Sequence, residues 1–296
     1  MRSFVMELKS TFFHLSFNIS FAFLPLFLWG YVLSGADITA RFWIGILILH
    51  LLIYPGMNGI YAYFSKRKGL ISGLWDIKPA SKFTLFISLI FVLAGVFTSL
   101  RSNCFYSLTT SVILFILFSL PFTGIKSKPF WGILVISFSY AIAGFGSGWL
   151  CGSNLNNFFK DLFNIVGFIS AVTFVAGFYT LSLVYRISED SERKGDHFIE
   201  NLGESRSFGI AKLMLSIAGI TATVVVAGKF TLYELIGVIL YFLIGFLAVD
   251  RFEKNFHLQK EIQNYRTVLS FNITNSTVLS LYLLFRIIAS HFLFID

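Results

Sequence analysis

Nine long apolar runs, separated by shorter polar stretches, recur along the chain at approximately residues 11–33, 42–63, 83–99, 104–121, 130–150, 162–185, 208–228, 231–250 and 267–294. Each is close to the roughly 20 mostly apolar residues that a helix needs to cross the hydrocarbon core of a bilayer. Within lipid, only a helix or a closed barrel satisfies its own backbone hydrogen bonds. The pattern therefore predicts an all-α integral membrane protein with nine transmembrane helices in one bundle. No Pro/Gly/Ser-rich linker or stretch of soluble-domain composition interrupts the series, so residues 1–296 read as a single transmembrane domain. The first run is as long as a span and lacks a small-residue cleavage site, which reads as a first helix rather than a removed signal peptide.

The polar gaps are not equivalent. Basic residues crowd into every second one: Arg2 and Lys9 before the first run; Lys66, Arg67, Lys68, Lys78 and Lys82 after the second; Lys126 and Lys128 after the fourth. The series continues with Arg186, Arg193, Lys194, Arg206 and Lys212 after the sixth, then Arg251, Lys254, Lys260 and Arg266 after the eighth. The alternate gaps hold only Arg41, Arg101, Lys160 and Lys229. By the positive-inside rule the N-terminus is cytoplasmic and Asp296 lies outside. The segments about 65–82, 122–129, 186–207 and 251–266 are then cytoplasmic loops. Three of them are long, and long loops on a rigid scaffold are where binding residues collect.

Composition agrees: 56% of residues are apolar, 13% are charged and the mean hydropathy is +0.78, outside the range of soluble domains. The net charge of +8 is dispersed over five loops that also carry nearly all the acids. It reads as topology and attraction to anionic membrane lipids rather than as a nucleic-acid surface. Cys104 and Cys151 both fall near the outer face, where an oxidising compartment permits a disulfide; two inert small apolar side chains are the other reading. His50, Arg286 and His291 lie inside apolar runs, where single ionisable groups are commonly paired across helices or snorkelling near an end. Gly144, Gly146 and Gly148 suit a close helix approach.

Two loops carry candidate chemistry. After the sixth run, Glu189, Asp190, Glu192 and Asp196 cluster at a loop mouth. Hard divalent cations such as Mg2+ take one or two carboxylates together with the oxygens of a phosphorylated substrate. The same acids also read as a solvated loop balanced by Arg186, Arg193, Lys194 and Arg206. After the second run, Lys66, Arg67 and Lys68 supply the opposite charge and could clamp phosphate oxygens, or serve only as a topology signal.

In these stretches the chain resembles the UbiA-type membrane prenyltransferases. Tyr61-Ala62-Tyr63-Phe64-Ser65 with the glycine-containing continuation 66–74 resembles the family's Asn-Asp-Tyr-x-Asp segment. The stretch 122–132, with Lys126, Lys128 and Pro129, is similar to its basic loop after the fourth helix. Arg193-Lys194-Gly195-Asp196 with Asn201-Leu202-Gly203 resembles the tail of its second motif. The resemblance implies nine spans, a cytoplasmic mouth, and a Mg2+-bound prenyl diphosphate held between two aspartate-rich motifs.

The aspartates themselves are largely replaced. Ala62, Ser65 and Gly69 stand where the first motif has carboxylates, and at least one of the second motif's two is missing in either alignment. Asn58 remains upstream as a polar side chain able to face the cavity. The reading is thus a UbiA-like protein acting on an isoprenoid diphosphate, by prenyl transfer or cyclisation. Asn58, Lys66, Arg67, Lys126 and Lys128 are its candidate substrate contacts, and Glu189, Asp190 and Asp196 hold a single metal. The alternatives are a non-catalytic lipid- or partner-binding homologue that has lost the metal-diphosphate clamp and, third, a small transporter.

Overall fold

The computed structural model describes residues 2–65, 79–184 and 198–292, which are all α, with no strand among the described residues. The main helices are α1 (Arg2–Leu15), α2 (Leu24–Ser34), α3 (Ala40–Ser65), α4 (Lys82–Ser99) and α5 (Phe105–Ser119). They continue with α6 (Pro129–Gly152), α7 (Leu162–Leu183), α8 (Glu204–Lys229), α9 (Leu232–Asn255) and α10 (Glu261–Phe292). Among the described residues, seven helices are long and apolar enough to span a bilayer, and Phe21–Ser34 and Phe105–Ser119 are shorter apolar helices. The protein is a multi-pass integral membrane protein.

Local chemistry sets the helix starts. Ser81 and Thr84 form a reciprocal capping box at α4, as do Thr231 and Glu234 at α9. The Asp161 carboxylate accepts the Phe163 amide at α7, and Pro129 opens α6, where its missing N–H costs nothing.

The first apolar run is not one helix. After α1 the chain passes through Ser16 in the left-handed region (φ 49°), one helical turn (Phe17–Ser20) and a 3-10 turn (Phe21–Phe23) before α2 begins. Pro25 explains part of this: it has no N–H, and its ring would strike the carbonyl four residues earlier, so a continuous helix cannot run through. The loosened backbone is bonded inwards. The His50 Nδ1–H donates to the Ser20 carbonyl at 2.8 Å, and the Ser276 hydroxyl donates to the Ala22 carbonyl at 2.7 Å. Because a carbonyl only accepts, that bond fixes the proton of His50 on Nδ1. His50 sits in a π-helical stretch of α3, Ile48–Ile53, directly ahead of Pro55. The wider turn accommodates a proline that would otherwise break the ladder.

α3, α6 and α7 form the interior, with half or more of their spanning windows buried, whereas α9 leans on α8 and buries only 11%. α6 packs against α2, α5 and α7, while α10 packs against α2 and α7. In lipid, helices associate through close packing and interhelical hydrogen bonds rather than a hydrophobic drive, and both devices are present. A Cβ on Gly30 of α2 would collide with the Phe145 carbonyl of α6, and one on Gly148 would collide with the Phe27 carbonyl; only glycine permits this crossing. Between α5 and α6, Ser111 and Ser139 exchange hydroxyl-to-carbonyl bonds of 2.8 and 3.0 Å.

Ion pairs tie the ends. At the end of the bundle that carries most basic residues, Lys212 of α8 meets Glu253 of α9 at 2.6 Å. At the opposite end, Lys229 of α8 meets Asp161 at 2.5 Å. Arg286 of α10 pairs with Glu234 of α9 and lies 3.9 Å from the centre of the Phe230 ring; it is bonded to a neighbouring helix rather than left alone in the span.

Candidate functional site

The basic end gathers the last turn of α3, the α5–α6 connection, the end of α7 and the short helix Phe198–Leu202. Asn58 faces inwards from α3. Its carbonyl oxygen accepts from the Tyr140 hydroxyl of α6 at 3.3 Å, and its amide donates to the Leu15 carbonyl at 3.4 Å, where α1 ends. One amide hydrogen and one acceptor lone pair of Asn58 remain for another partner. One turn further on, the ring of Tyr61 lies beneath the Lys126 ammonium, 5.9 Å from its centroid. The α5–α6 connection thereby meets the first motif. Lys128 is exposed at the cap of α6.

Lys66 and Arg67, and likewise Glu189, Asp190 and Asp196, lie outside the described residues. Ser65 ends α3 beside Tyr61, and residue 184 follows the end of α7. The chain resumes at Phe198, which is fully buried with its ring centroid 6.2 Å from that of Tyr179. A Cβ on Gly132 would lie 2.7 Å from the Phe198 ring, and the Asn201 amide donates to the Ser127 carbonyl at 2.7 Å, fastening the short helix to the α5–α6 connection. Among the described residues, no three of His, Cys, Asp and Glu come together as a metal-binding group.

Beneath the rim runs a column of aromatic rings from four helices and the broken first span. Tyr61 stacks near Phe118 (6.1 Å), and Phe118 meets Tyr179 edge-on (6.3 Å). Tyr140 lies at the centre, 4.3 Å from Phe23, 5.3 Å from Tyr54, 5.9 Å from Phe115 and 6.5 Å from Tyr179. The break in the first span is what points Phe23 at Tyr140. Ring faces carry partial negative charge and attract cations when water is absent. A cationic rim above an aromatic, apolar interior therefore suits an amphiphile with an anionic head and a hydrocarbon tail. A separate apolar groove of about 380 Å3 opens between α8 and α9, lined by Leu215, Gly219, Phe242 and Phe246 among others.

Sequence reasoning missed Tyr140, Tyr179, Phe23 and Phe198 as site residues. Thirty-seven Phe and twelve Tyr leave no compositional mark on the few that converge. Pro25 and Pro55 were the available signals for irregular backbone beside them.

The helical multi-pass bundle is similar in fold to several solved membrane proteins. A UbiA homologue from Archaeoglobus fulgidus, bound to DMAPP and Mg2+, superposes with a TM-score of 0.70 at 15% identity, over 95% of this chain and 99% of that one. A digeranylgeranylglyceryl phosphate synthase gives 0.62 at 14% identity over 96% and 99%. An apo UbiA homologue from Aeropyrum pernix K1 gives 0.60 at 13% identity over 90% and 98%. No family model and no curated protein matches the sequence. The chain has the UbiA-type membrane prenyltransferase fold.

Proposed function

We propose that this protein is a single-domain UbiA-type membrane protein that binds an isoprenoid diphosphate at its basic end, and transfers or cyclises the prenyl group there. The observation that carries the reading is the aromatic column centred on Tyr140 directly below Asn58 and Lys126. The charge distribution supports a cytoplasmic mouth, with the N-terminus inside and the C-terminus outside. Lys66, Arg67, Lys126 and Lys128, with Asn58, contact the diphosphate, whose oxygens are the natural partners of ammonium and guanidinium donors.

In the reaction, the bond between prenyl C1 and the diphosphate oxygen breaks with its electron pair leaving on the diphosphate. Ring faces of Phe23, Tyr140 and Tyr179 shield the resulting allylic cation, and an acceptor, or a double bond of the same chain, attacks it and gives up a proton. Glu189, Asp190 and Asp196 are the proposed ligands that would hold a Mg2+ ion, which would supply charge neutralisation to the leaving diphosphate. A relative of this fold holds DMAPP with Mg2+, which supports both the substrate class and the ion. Membrane lipids are the expected surroundings, and no nucleic-acid partner is proposed.

A second reading, a lipid-binding homologue without turnover, draws on Ala62, Ser65 and Gly69 at the first motif's carboxylate positions. The broken first span is a feature of transporters too, but here His50 and Ser276 satisfy the Ser20 and Ala22 carbonyls. Pyrophosphate release by the purified protein, measured with prenyl diphosphates of several lengths with and without Mg2+ and acceptor, separates the readings. Release supports the enzyme. Thermal stabilisation by prenyl diphosphate without release supports the binding homologue, and neither effect at any chain length contradicts both.

A further inference from the structure

At the end of the bundle opposite the candidate site, the sulfurs of Cys104 and Cys151 lie 2.9 Å apart, both as free thiols. Cys104 caps the start of α5 and Cys151 sits in the last turn of α6. These helices form a hairpin joined by the chain only at the basic end, so the two cysteines face each other across its open end. The positions are held from several sides. The Cys104 sulfur is 3.2 Å from the Ser102 carbonyl and 3.3 Å from the Ser147 carbonyl. α3 packs over the pair so closely that a Cβ on Gly45 would lie 2.5 Å from the Cys151 sulfur. The serine bonds between α5 and α6 fix the register of the hairpin beneath.

We propose that Cys104 and Cys151 are joined by a disulfide in the protein as it is made, closing the open end of the α5–α6 hairpin. A disulfide needs its sulfurs about 2.05 Å apart, an approach of under 1 Å from the thiol positions, within the reach of side-chain rotation. The oxidant is of the disulfide class, a small-molecule or protein disulfide on the outer side of the membrane. The thiolate of one cysteine attacks the oxidant's disulfide, giving a mixed disulfide and releasing one oxidant thiol. The thiolate of the other then attacks the mixed disulfide and releases the second. Two electrons pass to the oxidant, and the two protons lost by the cysteines end on its thiols. This step rests on the outward orientation argued above, since a cytoplasmic location would keep the pair reduced.

Burial fixes when the bond forms. Cys104 and Cys151 are 1% and 3% exposed, out of reach of an external disulfide once the bundle has closed. Oxidation therefore precedes the packing of α3 over the pair, and the finished bond is equally shielded from reductants in the folded protein.

The test is alkylation of the full-length protein from its native membrane, denatured in SDS and treated with a maleimide before and after reduction, read by intact mass. The expected result is no adduct without reductant and two after it. A reductant applied to the folded protein before quenching leaves the mass unchanged. Two adducts without reductant overturn the proposal. Stability gives an independent readout. Cys104→Ser, Cys151→Ser and the double variant all lower the Tm by the same several degrees if one bond is lost, whereas additive losses contradict a shared bond.

Discussion

Replacement of Tyr140 separates the ring face from the hydroxyl at the centre of the aromatic column. Tyr140→Phe keeps the ring that stacks on Phe23 at 4.3 Å and lies near Tyr54 and Phe115, and removes only the donor to Asn58 at 3.3 Å. The expected loss is one neutral hydrogen bond, about 1 kcal/mol of stability, with little change in reactivity. Tyr140→Leu keeps the site apolar but removes the quadrupole. A cation over a desolvated aromatic face is worth about 2 kcal/mol, so the Leu variant is expected to lose roughly 30-fold in kcat/KM for pyrophosphate release relative to the Phe variant. The same ratio is expected, without turnover, in affinity for an ammonium analogue whose nitrogen replaces the cationic carbon. Measuring Tm alongside separates folding from function. Equal kcat/KM and equal analogue affinity for the Phe and Leu variants refute the shielding role; if both fall equally below the parent, the hydroxyl acts instead, and if both match it, neither group acts.

Three further outcomes follow from the packing. Arg286→Met leaves Glu234, 14% exposed, without its cation at the membrane edge, and is expected to cost about 2–4 kcal/mol; Glu234→Gln on that background restores part of it, measured by chemical unfolding in detergent. Gly148→Val drives a branched side chain into the Phe27 carbonyl, and is expected to cost 2–3 kcal/mol or more, or to abolish the folded bundle, whereas Gly237→Val, facing open space, leaves Tm nearly unchanged. The Asp161 carboxyl is held below its usual range by the hydrogen bond from Lys229. Its contribution is therefore present above the unfolded value near pH 4 and fades as pH falls through the lower folded value. Asp161→Asn, which keeps a capping oxygen, is expected to sit at most about 1 kcal/mol below the parent at pH 7 and to converge with it in acid, read from paired melting curves.

The spans were legible because length and apolarity report directly on the solvent a segment prefers. The interruption at Ser16–Phe23 was not legible in the same way, since a broken span stays as apolar as an intact one. Its cause lies in Pro25 and in partners far along the chain, His50 and Ser276. Lys126 was picked out by charge, but its seat over Tyr61 depends on how the α5–α6 connection folds back onto α3. Arg286 looked solitary because Glu234 stands 52 residues away. Phe198 gave no signal at all: one phenylalanine among many enters the bundle because glycine at position 132 leaves room for it. Asn58 was identified as polar and inward, yet its first duty is to bond the end of α1 and Tyr140.

Photolabelling with a diazirine-bearing prenyl diphosphate, mapped by peptide mass spectrometry, tests the central claim most directly. The account predicts crosslinks to Tyr140 and the rings around it, on the Phe21–Phe23 turn, α3, α5, α6 and α7, displaced by unlabelled prenyl diphosphate and by inorganic pyrophosphate. Crosslinks confined to the Leu215–Phe242 groove between α8 and α9 and unaffected by either competitor would mean that the hydrocarbon tail alone is recognised there, and that the basic mouth is not the substrate site.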